Sequence, residues 1–189
     1  AAAEMRQRIA SLVTSERGLP LTTTFHSLGV RLLREFHEAA GLPRAFTIWD
    51  RDDSMRALKG IAESLGIETP PRSILAAISR HKGNAVERAQ FEAGAKDFRE
   101  RGSARAWEAY EKALEEEGAL DFDELLLRAL KLLRESKEIR ERLQSRWIYV
   151  TIDEYQDTNR CQYEIAKLLA EPQNNICVVG DIDQNIYSW

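Results

Sequence analysis

The sequence predicts an α/β fold, a short parallel sheet interrupted by a large helical segment, and three observations carry that prediction. Helical periodicity dominates the 189 residues. Strand signals are confined to three short places: Leu21 to Phe25, bounded by Gly18 and Pro20; Trp147 to Ile152; and Ile176 to Val179, closed by Gly180. The last two are short apolar or β-branched runs of the kind buried in parallel sheets, and Asn159 to Ala170 between them has the spacing of a crossover helix, so together they form a βαβ unit. The stretch between the first strand and that unit offers no strand candidate and reads as an insertion or a second layer.

Within that stretch the spacing predicts a helix over Leu28 to Ala40, ended at Gly41-Leu42-Pro43, and another over Asp50 to Leu65, with Asp50 or Asp52 as cap and Gly66 as stop. Pro70-Pro71 marks the next boundary, followed by a short helix over Ser73 to Ser79 and a long charged one over Ala85 to Glu117, bending near Gly102-Ser103. Asp121 starts a leucine-rich helix, and Ser136 caps a last one to Leu143. Arg72, Arg80, His81 and Lys82 form the one tight basic cluster of this region and read as a solvated face.

Composition narrows the classes. With 43% hydrophobic and 31% charged residues the chain matches ordinary folded proteins, and no apolar run is long enough to span a bilayer, so no membrane partner is expected. Cys161 and Cys177 have neither Cys-x-x-Cys spacing nor a neighbouring His, which points to reduced thiols in a cytoplasmic protein. The net charge of −4 lacks the basic footprint of a duplex-binding domain, although a motor that grips one strand in a cleft can rely on stacking and local positive charge. Ala1 to Ile9 reads as an amphipathic helix already in progress, so the expectation is a start inside a longer protein.

Two clusters carry chemistry. Asp153 and Glu154 stand where an apolar strand ends, the edge at which open α/β sheets bind ligands. An acid there can hold Mg²⁺ through waters while its neighbour positions or deprotonates the water that attacks a γ-phosphate. The same position equally suits a loop acid that caps the next helix. Val178 to Trp189 again sets acids and an amide after a buried strand: Gln184 could sense a γ-phosphate, and Tyr187 and Trp189 could stack bases or close the core.

In order and wording, Thr24-Phe-His-Ser27, Leu120 to Leu127, Asp153-Glu-Tyr-Gln-Asp-Thr-Asn159 and Gly180-Asp-Ile-Asp-Gln-Asn-Ile-Tyr-Ser-Trp189 resemble superfamily 1 DNA helicases of the UvrD/PcrA/Rep family, and Ala1 to Arg6 is similar to the tail of the motif that follows the family's phosphate loop. The resemblance implies a truncated RecA-like parallel sheet of the P-loop NTPase type, residues 1–40 and 119–189, with an inserted all-α subdomain, residues 41–118. It implies a 3′–5′ helicase that couples hydrolysis of ATP with Mg²⁺ to movement on single-stranded DNA. Its partners would be single-stranded DNA, duplex junctions and the remaining helicase domains.

The resemblance assigns Asp153 to the metal, Glu154 to the catalytic base, Gln184 to the γ-phosphate sensor, and Gln156 and Asp157 to coupling. Thr24, Phe25 and His26 match the strand-gripping motif, and Tyr187 and Trp189 the stacking aromatics. Ile182 stands where the family usually has an acid, and Asn185 where Ser is common, which bears on tuning of the sensor. No Gly-x-x-x-x-Gly-Lys-Ser/Thr occurs, so the chain alone is expected not to hydrolyse ATP. A helicase–nuclease subunit of the RecB/AddA type is the nearest alternative, and a nucleic-acid-binding module without ATPase activity is another.

Overall fold

Nine helices and two small parallel sheets make up the described part of the computed structural model, which covers residues 2–13 and 18–184. Helix α1 is Ala2–Leu12, and α2, Phe25–Glu35, follows an extended segment. Strand β1, Thr47–Trp49, leads into α3, Arg51–Leu65, then α4, Pro71–Gly83, α5, Arg88–Gly94, and α6, Phe98–Glu116. Strand β2, Ala119–Asp121, runs directly into α7, Phe122–Glu135, and α8, Lys137–Arg146. The chain then forms β3, Val150–Ile152, the crossover α9, Arg160–Ala170, and β4, Ile176–Val178. Both sheets are parallel: Ile48 lies opposite Leu120 in one, and Thr151 opposite Cys177 in the other.

The βαβ unit forms with the order and parallel pairing that the sequence predicts, Asn159 capping α9 by accepting the Gln162 N–H, but its strands are not buried as expected: β4 is exposed throughout and only Ile152 of β3 is buried. Asp50 caps α3 through a reciprocal pair with Asp53, and Asp121 and Ser136 cap α7 and α8. Four further expectations need correction. Leu21 to Phe25 is not a strand: the Thr24 hydroxyl accepts the Ser27 N–H, so the threonine run is the extended approach to an N-cap, and Phe25 opens α2. Strands β1 and β2 lie where no strand was expected, because three residues are too few to display an alternation.

The long charged helix is two helices, broken at Ala95 to Asp97 because Asp97 caps α6 through the Glu100 N–H; there is no break at Gly102, inside α6. Lastly, the basic cluster is not one solvated face. Lys82 is 0% exposed, held between Asp121 and Glu124, and His81 is stacked on Phe91 with ring centroids 4.5 Å apart.

Two apolar clusters form the interior. One gathers Leu32 and Leu33 of α2, Leu125, Leu126, Leu130, Leu132 and Leu133 of α7, Leu143 of α8, and Cys161, Ile165 and Leu169 of α9. Burial pushes the Cys161 thiol up to about 12, so it packs as a small apolar group. The other gathers Leu58, Ile74, Ile78, Trp107, Tyr110 and Leu114 from α3, α4 and α6. Helix α2 reaches α7 closely because Gly29 has no side chain: a Cβ there would lie 3.1 Å from the Leu125 carbonyl oxygen.

Lys82 stands where the clusters meet. Its Nζ donates to Asp121 Oδ2 at 2.9 Å, lies 2.9 Å from Glu124 Oε2, and sits over the Tyr110 ring at 5.7 Å. Glu124 also accepts from Arg128 Nε at 2.7 Å. Burial pulls the Lys82 ammonium down, but the carboxylates of Glu124 and Asp121 override it and hold the group above its ordinary value. Removing the lysine alone strands the buried Asp121 carboxylate and leaves Glu124 with Arg128 as its remaining partner. Lys82→Ala is therefore expected to cost about 3–5 kcal/mol of unfolding free energy in urea titrations, and a loss below about 1 kcal/mol would show that the acids find another partner.

Candidate functional site

The parallel register of β3 and β4 brings the two acid-bearing loops to one edge. The ladder continues past the strands, with Val179 N–H donating to the Ile152 carbonyl at 2.8 Å and Tyr155 N–H to the Val179 carbonyl at 2.9 Å. Asp153 and Glu154 leave β3 at that edge, both exposed. Asp153 Oδ1 accepts the Glu154 N–H at 3.0 Å, so its carboxylate turns the loop rather than capping α9. Glu154 has φ of 53°, a left-handed conformation uncommon outside glycine, and strain of this kind gathers at functional loops.

A chain of hydrogen bonds ties the two loops together. Gln156 Nε2 donates to Glu154 Oε2 at 2.6 Å, while Gln156 Oε1 accepts the Asp181 N–H at 3.0 Å. The backbone N–H can only donate and the carboxylate only accept, so one orientation of the amide satisfies both. Asp181 in turn accepts from Asp183 N–H through Oδ1 at 3.0 Å and from Gln184 Nε2 through Oδ2 at 2.7 Å. Glu154, Gln156, Asp181 and Gln184 thus form one continuous path. The loops can approach this closely because residue 180 is glycine: a Cβ there would lie 2.6 Å from Gln156 Oε1 and 3.2 Å from the backbone nitrogens of Tyr155 and Gln156.

Asp157, in the 3-10 turn Tyr155–Asp157, has its Oδ1 shielded from solvent with no hydrogen-bond partner. Among the described residues no group of three or more His, Cys, Asp or Glu side chains is arranged to hold a metal by itself. The donors at the strand edge are hard carboxylate oxygens, a set that suits Mg²⁺ bound through waters and phosphate oxygens.

Thr24, Phe25 and His26 lie elsewhere, at the start of α2. The Thr24 hydroxyl caps the helix, Phe25 packs against the first apolar cluster, and the His26 ring meets Phe122 edge-on, with centroids 5.7 Å apart and planes at 80°. Phe122 is 49% exposed, so the pair offers aromatic surface to solvent. Burial holds the His26 pKa below its ordinary value, with the Asp123 carboxylate opposing the shift. No hydrogen bond or ion pair among the described residues joins this group to the strand edge. Tyr187 and Trp189 lie outside the described residues.

A family model, the UvrD/REP helicase N-terminal domain, matches residues 1–189. The chain belongs to that family. Among the relatives of this UvrD/REP chain, the ATP-dependent DNA helicase PcrA of Staphylococcus aureus strain Mu50 is 37% identical over 192 residues, covering 100% of the chain and 26% of the relative. PcrA of Staphylococcus epidermidis strain RP62A is 38% identical over 192 residues with the same coverage. The UvrD/REP chain spans about a quarter of the length of these relatives.

Residue-by-residue reading of the sequence missed three contributors: Asp181, the bridge between Gln156 and Gln184; Gly180, which admits the bridge; and Phe122, the partner of His26. A Gly-Asp pair directly after a strand was a usable signal for the first two. Phe122 had none, since its meeting with His26 depends on how α2 packs.

Two outcomes follow from this geometry. Gly180→Ala is expected to force the loops apart and lower stability by about 1–3 kcal/mol, read from thermal or urea unfolding, whereas an unchanged midpoint would mean that the loops yield freely. His26 should titrate below 6.5, followed by its ring-proton NMR shift. Because its folded value is depressed, its contribution to stability is full above pH 6.5 and is lost as pH falls through the lowered value; a midpoint at or above 6.5 contradicts the burial.

Proposed function

We propose that the chain forms part of an ATP-driven 3′–5′ DNA translocase, with the strand edge as its nucleotide site and the start of α2 as part of its grip on single-stranded DNA. The observation that carries this is the unbroken hydrogen-bonded path from Glu154 through Gln156 and Asp181 to Gln184. A base and a phosphate sensor must respond to one substrate, and a path joining Glu154 to Gln184 would let them do so.

In this reading Glu154 is the general base. Gln156 holds its Oε2, which orients Oε1 toward an attacking water. Asp153, exposed beside it, would hold Mg²⁺, which when bound would supply charge neutralisation on the phosphate oxygens. Gln184 donates to Asp181 in this state. Exchanging that acceptor for a γ-phosphate oxygen would release the Asp181 carboxylate and relax the path back to Glu154, which makes Gln156 the coupling amide. Asp157, with an oxygen free of protein donors, is the second coupling residue.

Thr24, Phe25 and His26 would contact the strand, and Phe122 belongs with them as exposed aromatic surface on which a base can stack. Tyr187 and Trp189 would add further aromatics for stacking. The motor portion would be residues 1–40 and 119–189 and the helical insert residues 41–118, facing duplex junctions; most of each apolar cluster falls on one side of that division, while Phe46 of the insert joins the first cluster and β1 pairs with β2 across it. The remaining helicase domains would complete the nucleotide site, and a cytoplasmic setting follows from this role.

These 189 residues contain no Gly-x-x-x-x-Gly-Lys-Ser/Thr, so by themselves they are expected to turn over no ATP. In the full-length protein, single-stranded DNA should stimulate ATP turnover, and Glu154→Gln should lower the stimulated rate by about 100-fold or more while nucleotide still binds. Turnover unaffected by the substitution would remove Glu154 from the chemistry. No turnover in the wild-type protein would leave a binding module.

A further inference from the structure

Resting on that reading, we propose that the last turn of α4 carries strand occupancy to the nucleotide edge, with Ser79 and Lys82 as its positioning residues. The two residues lie one turn apart on α4 and address the same target, the acidic first turn of α7. Ser79 Oγ donates to Asp123 Oδ2 at 2.6 Å, and Lys82 Nζ donates to Asp121 Oδ2 at 2.9 Å and lies 2.9 Å from Glu124 Oε2. Phe122 stands among these three acids and points outward to meet His26. The acids are therefore held from inside while the aromatic residue among them faces the strand.

The end of α4 also lies beside α9, at the other site. The Asn159 amide nitrogen lies 3.4 Å from where a Cβ on Gly83 would stand, and Asn159 both ends the loop that begins at Asp153 and caps α9. One helical turn thus abuts the first turn of α7 on one side and the end of the nucleotide loop on the other.

The chemistry of the link favours geometry over stability. A fully buried ion triad is commonly no more stabilising than apolar residues of the same volume, yet its directional bonds admit one arrangement of the helices that share it. Lys82 is 0% exposed, so no water can take up a displacement. A base stacked on Phe122 that tilts the first turn of α7 must move Lys82 and Ser79, and Gly83 moves with them against Asn159.

The test uses the full-length protein with the triad neutralised as a set, Lys82→Met with Asp121→Asn and Glu124→Gln, so that no buried charge is stranded and Asn keeps the α7 cap. Ser79→Ala is the milder companion. ATP turnover is measured with and without a single-stranded oligothymidine, alongside the melting temperature. Expected are unchanged melting, strand-free turnover within about twofold of wild type, and strand-stimulated turnover lowered about tenfold or more, with a smaller loss of stimulation in Ser79→Ala.

Wild-type stimulation in a folded triple variant would overturn the proposal, as would a proportional fall of both rates, which marks a merely structural role. If the triple variant does not fold, Ser79→Ala decides: reduced stimulation at unchanged melting upholds the link, and wild-type behaviour overturns it. Absence of strand stimulation in the wild-type protein would instead bring down the motor reading itself, and this proposal with it.

Discussion

A lysine with no access to water must have its charge met by the protein, and that demand at Lys82 organises the meeting of the two apolar clusters. The ammonium leaves the last turn of α4, where the helix carbonyls favour positive charge, and enters the first turn of α7, where the amides favour the acids Asp121 and Glu124. Asp121 serves two roles at once: Oδ2 accepts from Lys82 and Oδ1 accepts the Glu124 N–H, so the cap of α7 and the ion pair are one structure. Tyr110 closes the group from α6, its ring under the ammonium and its hydroxyl donating to Ser54 of α3 at 2.8 Å. Helices α3, α4, α6 and α7 are therefore set relative to one another by directional contacts as well as by shape.

The strand edge uses the opposite strategy. Its polar groups are exposed, so water competes for each of them, and order comes from a network rather than from burial. Gln156 suits the bridge because an amide alone offers a donor and an acceptor on one rigid plane, matching a carboxylate on one side and a backbone N–H on the other. A glutamate there would set two carboxylates against each other, and a lysine could not accept from Asp181. The close approach permitted by Gly180 makes a side chain as short as glutamine sufficient.

The legible parts of the sequence were those whose signal is local. Asp50, Asp121 and Ser136 were readable as caps because the bond each makes lies within three residues. The strands around α9 were readable because a crossover helix needs a parallel partner on either side. Thr24 misled because a β-branched run favours extended backbone in a strand and in the approach to a cap alike, and only a pairing partner separates the two. Strands β1 and β2 were hidden because each exists only by pairing with the other, about 70 residues away in sequence.

Lys82 was misread for a related reason: a basic residue beside Arg80 and His81 looks solvated until the acids that will surround it are known, and those are supplied by α7. The candidate site divides the same way. Asp153, Glu154 and Gln184 carry their signal beside a strand end, whereas the pairing of His26 with Phe122 depends on the approach of α2 to α7 that Gly29 allows.

The net charge of −4, unhelpful for a nucleic-acid partner, is intelligible once the acids are located. Asp121 and Glu124 face inward to Lys82, and Glu124 is also paired with Arg128, so these two carboxylates are neutralised beneath a strand lying over Phe122 and His26, while Asp123 accepts from Ser79. Asp153, Glu154 and Asp181 are grouped at the sheet edge, where a magnesium-bound triphosphate would call for carboxylates. Glu116, Glu135 and Glu141 sit in exposed i,i+4 pairs on α6, α7 and α8, which nearly cancel locally. Overall charge therefore reports little about the surface a strand would meet. A grip built on aromatic faces works through stacking, which needs exposed rings and a backbone that holds them in place, and the buried acids beneath Phe122 provide the second of these.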